Sequence, residues 1–492
     1  MMHKKIAILG AGLGGLSAAI HLAAKGYKVE IFEKNSDSGG KLSQFEQDGF
    51  RFDTGPSVLT MPNVIEDLFI AANENINNFI KLKKLDLINR NFFSDNSIID
   101  TYSDAQKFKN EISKFSHKDA DSFDNYINYT KTIFEKAHKV FLYEPLHEVV
   151  KLIKENKFPN LMDFRYIDSF RTMDKSISSF FTHDKIRQIF NRYATYNGSS
   201  PYLTPATMNI IVYVELMLGA YYIDGGMYNL NVALKELFKK LDIKIHYNSD
   251  IEEIIVKDNQ VDGIKVNGQI KKYDFVVSNI DVIEVFNRLI KGFDSHSNKL
   301  RKLEPSLSGY VLLLGIEGQN DKLQHHNVLF SDNYKKEFDD IFNGIIPKDP
   351  TIYISITSKS NPNHAPINSE NWFILLNMPY LNDKIKWDET KYEVRDTILN
   401  KIKNFGLLDN QQIKFEKIMT PLDMYNQYRS NKGSIYGISS NNRMTAFKRP
   451  ANRSRIIKNL YFAGGSTHPG GGIPLVILSG KHAADLIDYY ND

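Results

Sequence analysis

Gly10, Gly12 and Gly15 stand in a GxGxxG spacing, with Gly14 inside it, and Glu33 follows eighteen residues after the last of them. Residues of those types at that spacing suit one task, the binding of a dinucleotide. Gly10 permits a tight turn, Gly12 lets backbone amides approach a pyrophosphate, and Gly15 lets a helix pack closely on a strand. Glu33 is placed to accept hydrogen bonds from an adenosine ribose. This chemistry needs particular elements around it. Residues 6–9 form a short apolar run suited to a strand buried on both faces. From Gly15 onward, Leu16, Ala19, Ile20 and Ala23 recur at helical spacing until Gly26 supplies a stop. Residues 29–32 are a second apolar strand, closed by Glu33. The predicted unit is strand, glycine turn, helix, strand, with the helix N-terminus facing phosphate charge.

The same N-terminal stretch has two lysines followed by an uncharged run, which also fits an export signal. Four glycines in the middle of such a helix, each costing about 1 kcal/mol relative to alanine, argue for the turn instead. Residues 460–480, LYFAGGSTHPGGGIPLVILSG, likewise mimic a membrane span, but their glycines and two prolines argue against a lipid-exposed helix. They read better as a second strand, glycine turn and helix, with Pro474 in the first turn of the helix. Two such helix N-termini can address different parts of one long cofactor.

Composition sets the outer limits. The chain has 492 residues, 42% of them hydrophobic, enough for two or three domains with sizeable cores. Sixty-two basic residues against 58 acidic ones give a net charge of +4, which lends no support to nucleic-acid binding. The absence of cysteine excludes disulfides, thiolate metal sites and a cysteine nucleophile, and fits a cytoplasmic protein. No metal-ligand spacing and no Ser/His/Asp arrangement stands out.

Residues 65–200 are mixed polar and aromatic and read as mainly helical. Within them Leu146, Val149, Val150 and Ile153 fall at i, i+3, i+4 and i+7 beside Lys151, Lys154 and Lys157, which reads either as an interfacial helix or as a core-packed helix with a solvated basic face. From residue 243 the pattern becomes strand-like, with turn signals at Asp258-Asn259 and Asn267-Gly268 and an apolar strand at 275–277. Further strands are expected at 310–316, 352–356 and 373–376. A return to sheet so far from the first unit implies a nucleotide domain that is discontinuous in sequence.

The N-terminal run, with Ala19, Leu22, Gly26, Val29, Glu33 and then Gly39-Gly40-Lys41, resembles the extended dinucleotide motif of the flavin amine oxidase superfamily. Through DGFRFDTGPSVLTMP at 48–62 and YFAGGSTHPGGGIPLVILSGK near the C-terminus, the chain is similar to the carotenoid desaturases and oxygenases related to bacterial phytoene desaturase. YIDGGMYNL at 222–230, HHNVLFSD at 325–332 and RSNKGSIYGISSN at 429–441 extend the resemblance across nearly the whole chain. Two positions depart from the pattern. Lys41 stands where the family often has arginine, which keeps a cation without the planar fork of donors. Gly465 stands where the wider superfamily commonly has an acid.

The resemblance implies an α/β protein with a Rossmann-like FAD-binding domain from 1–65, 225–300 and 445–492. It further implies a mainly helical, membrane-facing insertion at 66–224 and a mixed-sheet substrate domain at 301–444. FAD would be held by Gly10, Gly12, Gly14, Gly15, Glu33, Gly40 and Lys41, by the backbone of Ile251 on the adenine side, and by Gly464, Gly472, Ile473 and Pro474 near the flavin. Gly55 and Pro56, with Thr54, match a turn beside the ring system. His468, in the terminal glycine turn, is the catalytic candidate. His325 and His326 read either as a redox-linked polar spot or as an ordinary hydrogen-bonded pair, and Tyr193 and Tyr196 are the first places to look for polyene contacts.

The implied activity is desaturation of an acyclic carotene, with hydrogens removed from adjacent carbons, FAD as acceptor and oxygen or a quinone as the final oxidant. The site would be reached from the inner face of the cell membrane, where the protein would dock peripherally. Oxidation of a terminal methyl group is the alternative reaction, and polyene isomerisation is a third. A non-catalytic isoprenoid escort protein is disfavoured by the intact nucleotide fingerprint, and a dehydrogenase using NAD alone by Gly39-Gly40 and the C-terminal turn.

Overall fold

The structure is a computed structural model that describes residues 4–158, 163, 165–408 and 412–491. Its first sheet has five parallel strands in the order Leu460–Phe462, Phe275–Ser278, Lys5–Leu9, Lys28–Phe32, Lys244–His246. Ile6, Ala7, Ile8 and Leu9 are wholly buried because both faces of the sheet are covered, which is why this central strand reads as a continuous apolar run. Strands from three distant parts of the chain therefore meet in one sheet. The helix Leu13–Ala24 follows the first strand, and Gly26 closes it with a φ of +88° and its N–H on the Ala23 carbonyl.

The closing helix, Ile473–Tyr489, lies against Leu13–Ala24, and Ser17 Oγ donates to the Ile477 carbonyl at 2.7 Å. The backbones approach closely because Gly480 faces Gly14. A Cβ at position 480 would run into the Gly14 carbonyl and lie 2.7 Å from the Ala18 nitrogen.

A three-stranded antiparallel sheet, Ile251–Lys257, Gln260–Val266 and Gln269–Lys271, stands beside the parallel sheet. Its two turns are the expected ones. Asp258 and Asn259 have φ of +49° and +56°, and Asn267 and Gly268 have +49° and +72°, the paired positive values that a right-twisted two-residue hairpin requires.

The third sheet is mixed, with seven strands in the order Ile413–Met419, Ser308–Glu317, Ser369–Met378, Ile352–Ile356, His326–Leu329, Leu87–Phe92, Ile98–Tyr102. All neighbours are antiparallel except His326–Leu329 and Leu87–Phe92. The strands expected from 310, 352 and 373 are all present in it. Leu87–Phe92 and Ile98–Tyr102 are an exception within 65–200, where helices otherwise predominate, and this hairpin forms one edge of the mixed sheet. Its alternation is hidden because Asn91 is buried, with its side-chain amide donating to the Ile99 carbonyl at 2.8 Å. Helices flank it, with Pro62–Ala71 before and several after. Ala105–Ser113 is capped by Asp104, whose carboxylate accepts from Lys107 N–H at 2.8 Å, and the long His117–Phe141 by Ser116, whose hydroxyl accepts from Asp119 N–H at 3.1 Å.

The basic helix is also different from expectation. Val149–Lys154 has six residues, and its apolar side chains Val150 and Ile153 are 66% and 57% exposed. Lys151 is buried instead, paired with Glu155 at 2.8 Å and set over the Tyr489 ring, while Lys157 pairs with Glu144 and Glu155. Among the described residues no helix is long and apolar enough to cross a membrane.

The glycine contact between the first and last helices has a measurable cost of disruption. Gly480→Ala is expected to destabilise the protein by about 1–3 kcal/mol, the usual penalty for overpacking, read as a lower midpoint of denaturant unfolding. An unchanged midpoint would mean that the two helices are free to separate.

Candidate functional site

One cavity of about 1000 Å³ joins the turn after the first strand, the terminal glycine turn and the face of the mixed sheet. Gly10, Gly12, Gly14, Glu33, Gly40, Lys41, Gly55, Pro56, Ile251, Gly464, Gly472, Ile473, Pro474 and His468 all line it. Gly15 lies behind the wall. A Cβ there would meet the Gly10 carbonyl and stand 3.2 Å from Ile8, so its hydrogen is what lets the helix sit on the strand.

The turn is built for close approach. Gly10 has a φ of +91°, and its N–H donates to the Phe32 carbonyl at 2.8 Å, tying the first strand to the second. Glu33 Oε2 accepts from Ala11 N–H at 2.7 Å, and Oε1 accepts from the backbone and side-chain nitrogens of Asn35 at 2.9 and 2.8 Å. Three of the roughly four lone-pair sites of the carboxylate are thus used, and one on Oε2 is left for a ligand hydroxyl. Asn279, directly after the strand Phe275–Ser278, fills the space between the two glycine turns. A Cβ at Gly12 would lie 2.6 Å from its Nδ2, and one at Gly14 or Gly464 would lie 2.6 or 2.7 Å from its Oδ1. Nothing stands within 4 Å of a Cβ position at Gly472, which faces open cavity at the start of the closing helix.

Two cations and one carboxylate, each largely out of water, stand in this part of the wall. Lys41 Nζ donates to the Ser434 and Ile435 carbonyls at 3.0 and 2.6 Å, leaving one of its three donors free. Burial pushes its pKa down to about 8, against the pull of Asp281. Arg449 donates to the Gly465 and Ile438 carbonyls at 2.9 and 2.8 Å, and burial likewise brings it down to about 10. Asp281 is the carboxylate facing both, and burial raises its pKa while the N–H groups of Asn431 and Ile283 hold its two oxygens. Two cations against one carboxylate, around an open glycine cradle, fit an anionic pyrophosphate. Gly55 serves this arrangement indirectly, because a Cβ there would strike the Lys41 carbonyl.

His468 is buried with Nε2 on the Glu144 carbonyl at 2.9 Å and its ring stacked on His482. A carbonyl only accepts, so Nε2 carries the proton, and burial with the neighbouring His482 and His147 holds the ring neutral. It forms a fixed wall, with only Nδ1 able to accept a proton. His325 and His326 do not line the cavity. His325 Nδ1 meets Ser360 Oγ at 2.6 Å and His326 Nδ1 meets the Tyr353 hydroxyl at 2.7 Å. Tyr353 and Ser57 do line it, with their hydroxyls 2.6 Å apart, so a hydrogen-bonded line runs from the cavity to His326. Tyr196 lines the cavity and Tyr193 lies wholly buried behind it.

Sequence reading misses Asn279, Asp281, Arg449, Arg192, Ser57 and Tyr353. The first two had a visible signal, a polar SNID directly after a buried strand. Ser57 and Tyr353 meet from segments 296 residues apart, while Arg192 and Arg449 stand in stretches with no periodic or motif signal.

A parallel sheet with a glycine-turn cradle, a second glycine turn and a long apolar extension defines a flavin-dependent oxidoreductase with FAD as its cofactor. Residues 13–488 match the model of the flavin containing amine oxidoreductases, and the chain belongs to that family. It is 38% identical to a 4,4'-diapolycopene oxygenase from Methylomonas sp, over 99% of this chain and 98% of that protein. It is 36% identical to a 1-hydroxycarotenoid 3,4-desaturase from Flavobacterium sp. (strain P99-3), over 99% of this chain and 100% of that one. Among solved structures an oxidoreductase from Methanosarcina mazei shares the fold, with a TM-score of 0.66 at 16% identity, covering 98% of this chain and 100% of its own.

Gly12→Val places a branched side chain against Asn279 and into the cradle. The purified variant is expected to be colourless, without the flavin absorbance of the native protein. Retention of FAD would mean that the cofactor's phosphates lie elsewhere.

Proposed function

We propose that the protein is an FAD-dependent carotenoid desaturase that introduces double bonds into an acyclic carotene of thirty or forty carbons. The observation that carries this reading is the continuity of the cavity, in which a polar dinucleotide cradle opens directly into a chamber walled by Ile211, Val214, Val311, Val328, Phe373 and Leu375. A long hydrocarbon is the ligand such a chamber suits. The kinship with carotenoid-modifying relatives supports the same substrate class.

In this reading FAD is held by the glycine turn and Glu33 at the adenosine end, by Lys41 at the pyrophosphate, and by Gly464 and Gly472–Pro474 beside the flavin. Bound FAD supplies a two-electron oxidation. The chamber orients the polyene and keeps water out. Ser57, the Tyr353 hydroxyl and His326 Nδ1 form a fixed hydrogen-bonded line at the chamber wall. His468 serves as a wall of the ring site, not as an acid.

Oxidation of a terminal methyl group is the second reading, favoured by the name of the diapolycopene oxygenase relative. The same chamber would serve both. Expression in a bacterial host that makes thirty- or forty-carbon precursors separates them by the mass of the product. Loss of two hydrogens per step, with a red-shifted spectrum, is the expected result. A gain of oxygen at the chain end would replace desaturation by the oxygenase reading, and unchanged carotenes would sink both.

Peripheral docking on a membrane belongs to the same proposal, because the substrate resides in a bilayer. The cavity wall includes Phe170, 82% exposed, and the half-exposed Met444 and Phe447. Val150 and Ile153 sit on the short helix just after His147, whose ring reaches the Phe447 carbonyl. These apolar groups, and not the lysines, are the docking elements in this reading. Phe170→Asp combined with Val150→Asp is expected to reduce co-sedimentation with lipid vesicles at least several-fold while leaving FAD content unchanged. Undiminished binding would remove this rim as the contact surface.

A further inference from the structure

The register of the mixed sheet lays out the floor of the chamber. Val311 pairs with Leu375, Leu375 with Tyr353, and Tyr353 with Val328, so one row of four side chains crosses four neighbouring strands. All four line the cavity. Partners directly opposite one another in antiparallel strands share a face, and strands lie about 4.8 Å apart, so the row runs roughly 14 Å across the strands. It stops at both ends. Val311 pairs next with Met419, and Val328 with Asn91, and both of these are buried and off the cavity wall. The Asn91 amide is turned to the Ile99 carbonyl and the Thr101 hydroxyl.

The row meets the cofactor side at Tyr353. Its hydroxyl lies 2.6 Å from Ser57 Oγ, just after the Gly55-Pro56 turn that is read as lying beside the ring system, and 2.7 Å from His326 Nδ1, so the side chain is held in place. One strand spacing separates Tyr353 from Val328. Val328 is buried in the same cluster as Phe330, Tyr334 and Phe338, and the Tyr334 ring meets the other two edge to face at 5.5 and 5.0 Å. Such a packed wall yields little to a chain end pressed on it. A hydrocarbon laid along the row therefore passes Tyr353 by one strand spacing and meets a stop. We propose that the polyene lies across the strands on this row with its leading end against Val328, and that Val328 thereby sets which carbons are presented for oxidation. The proposal rests on the reading of the chamber as the site of polyene desaturation and assigns its positional selectivity to one side chain.

The test expresses the native protein, Val328→Phe and Val328→Ala in bacterial hosts that make acyclic carotenes of thirty or forty carbons, and locates the oxidised carbons in each product by mass fragmentation. Phenylalanine shortens the row and is expected to move oxidation toward the leading chain end. Alanine lengthens it and is expected to move oxidation away from that end. In each variant the ratio of displaced to native product is expected to rise about ten-fold, the scale that one or two methylenes carry in an apolar pocket. FAD content is expected to match that of the native protein. Oxidation of the native carbons in both variants, with only the rate lowered, would leave Val328 a structural residue and overturn the proposal. Val328→Ala decides alone if the phenylalanine variant does not fold. Oxidation of the terminal methyl by the native protein overturns the stop and leaves the polyene as substrate, because that chain end would stand beside the flavin and not past it. Carotenes left unchanged in both hosts overturn the polyene reading and this proposal with it.

Discussion

The close approach of two glycine turns, one from each end of the chain, is the constraint on which the structure depends. Gly14 faces the Gly464 backbone and Gly480 faces Gly14, at separations that leave no room for a Cβ. Because the turns touch, the first and last helices end at one place, and their N-termini open onto one cavity. The contact also draws the strand Phe275–Ser278 between the first and last strands, which delivers Asn279 to the gap between the turns. A dinucleotide longer than either turn can then be held by both.

Electrostatics follow from that geometry. Lys41 and Arg449 are brought out of water beside Asp281, and each is held by backbone carbonyls in place of a matching carboxylate. Cations arranged in this way are costly alone and favourable beside an anion. The histidines follow the opposite logic. His325, His326 and His468 are buried without a carboxylate partner and are held neutral, so they act through fixed hydrogen bonds and shape. Arg192 and Glu215 are a third case, opposite charges 3.8 Å apart, with Arg192 on the cavity wall and Glu215 wholly buried behind it.

Much of the fold was legible from local pattern. The strand, turn and helix at each end, the hairpins at Asp258-Asn259 and Asn267-Gly268, and the strands near 310, 352 and 373 have periodicity or turn chemistry that needs no distant partner. The hairpin Leu87–Phe92 with Ile98–Tyr102 was not legible, because the buried Asn89 and Asn91 erase the alternation that marks a strand. The helix Val149–Lys154 was misleading in its charges. Spacing placed an apolar stripe beside lysines correctly, but tertiary pairing with Glu155 and Tyr489 buried Lys151 and left Val150 and Ile153 in the open.

The sequence by itself determined the nucleotide cradle, because glycines needed for positive φ and backbone contact, and an acid at the end of a strand, act through the chain immediately around them. It also determined the family, through motifs spread along nearly its whole length. Only the tertiary structure decided which polar side chains share the cavity. Ser57 and Tyr353, and Lys41 and Asp281, are brought together by the packing of separate sheets and helices. Whether a buried charge is answered or left open depends on that packing, and no spacing in the sequence encodes it.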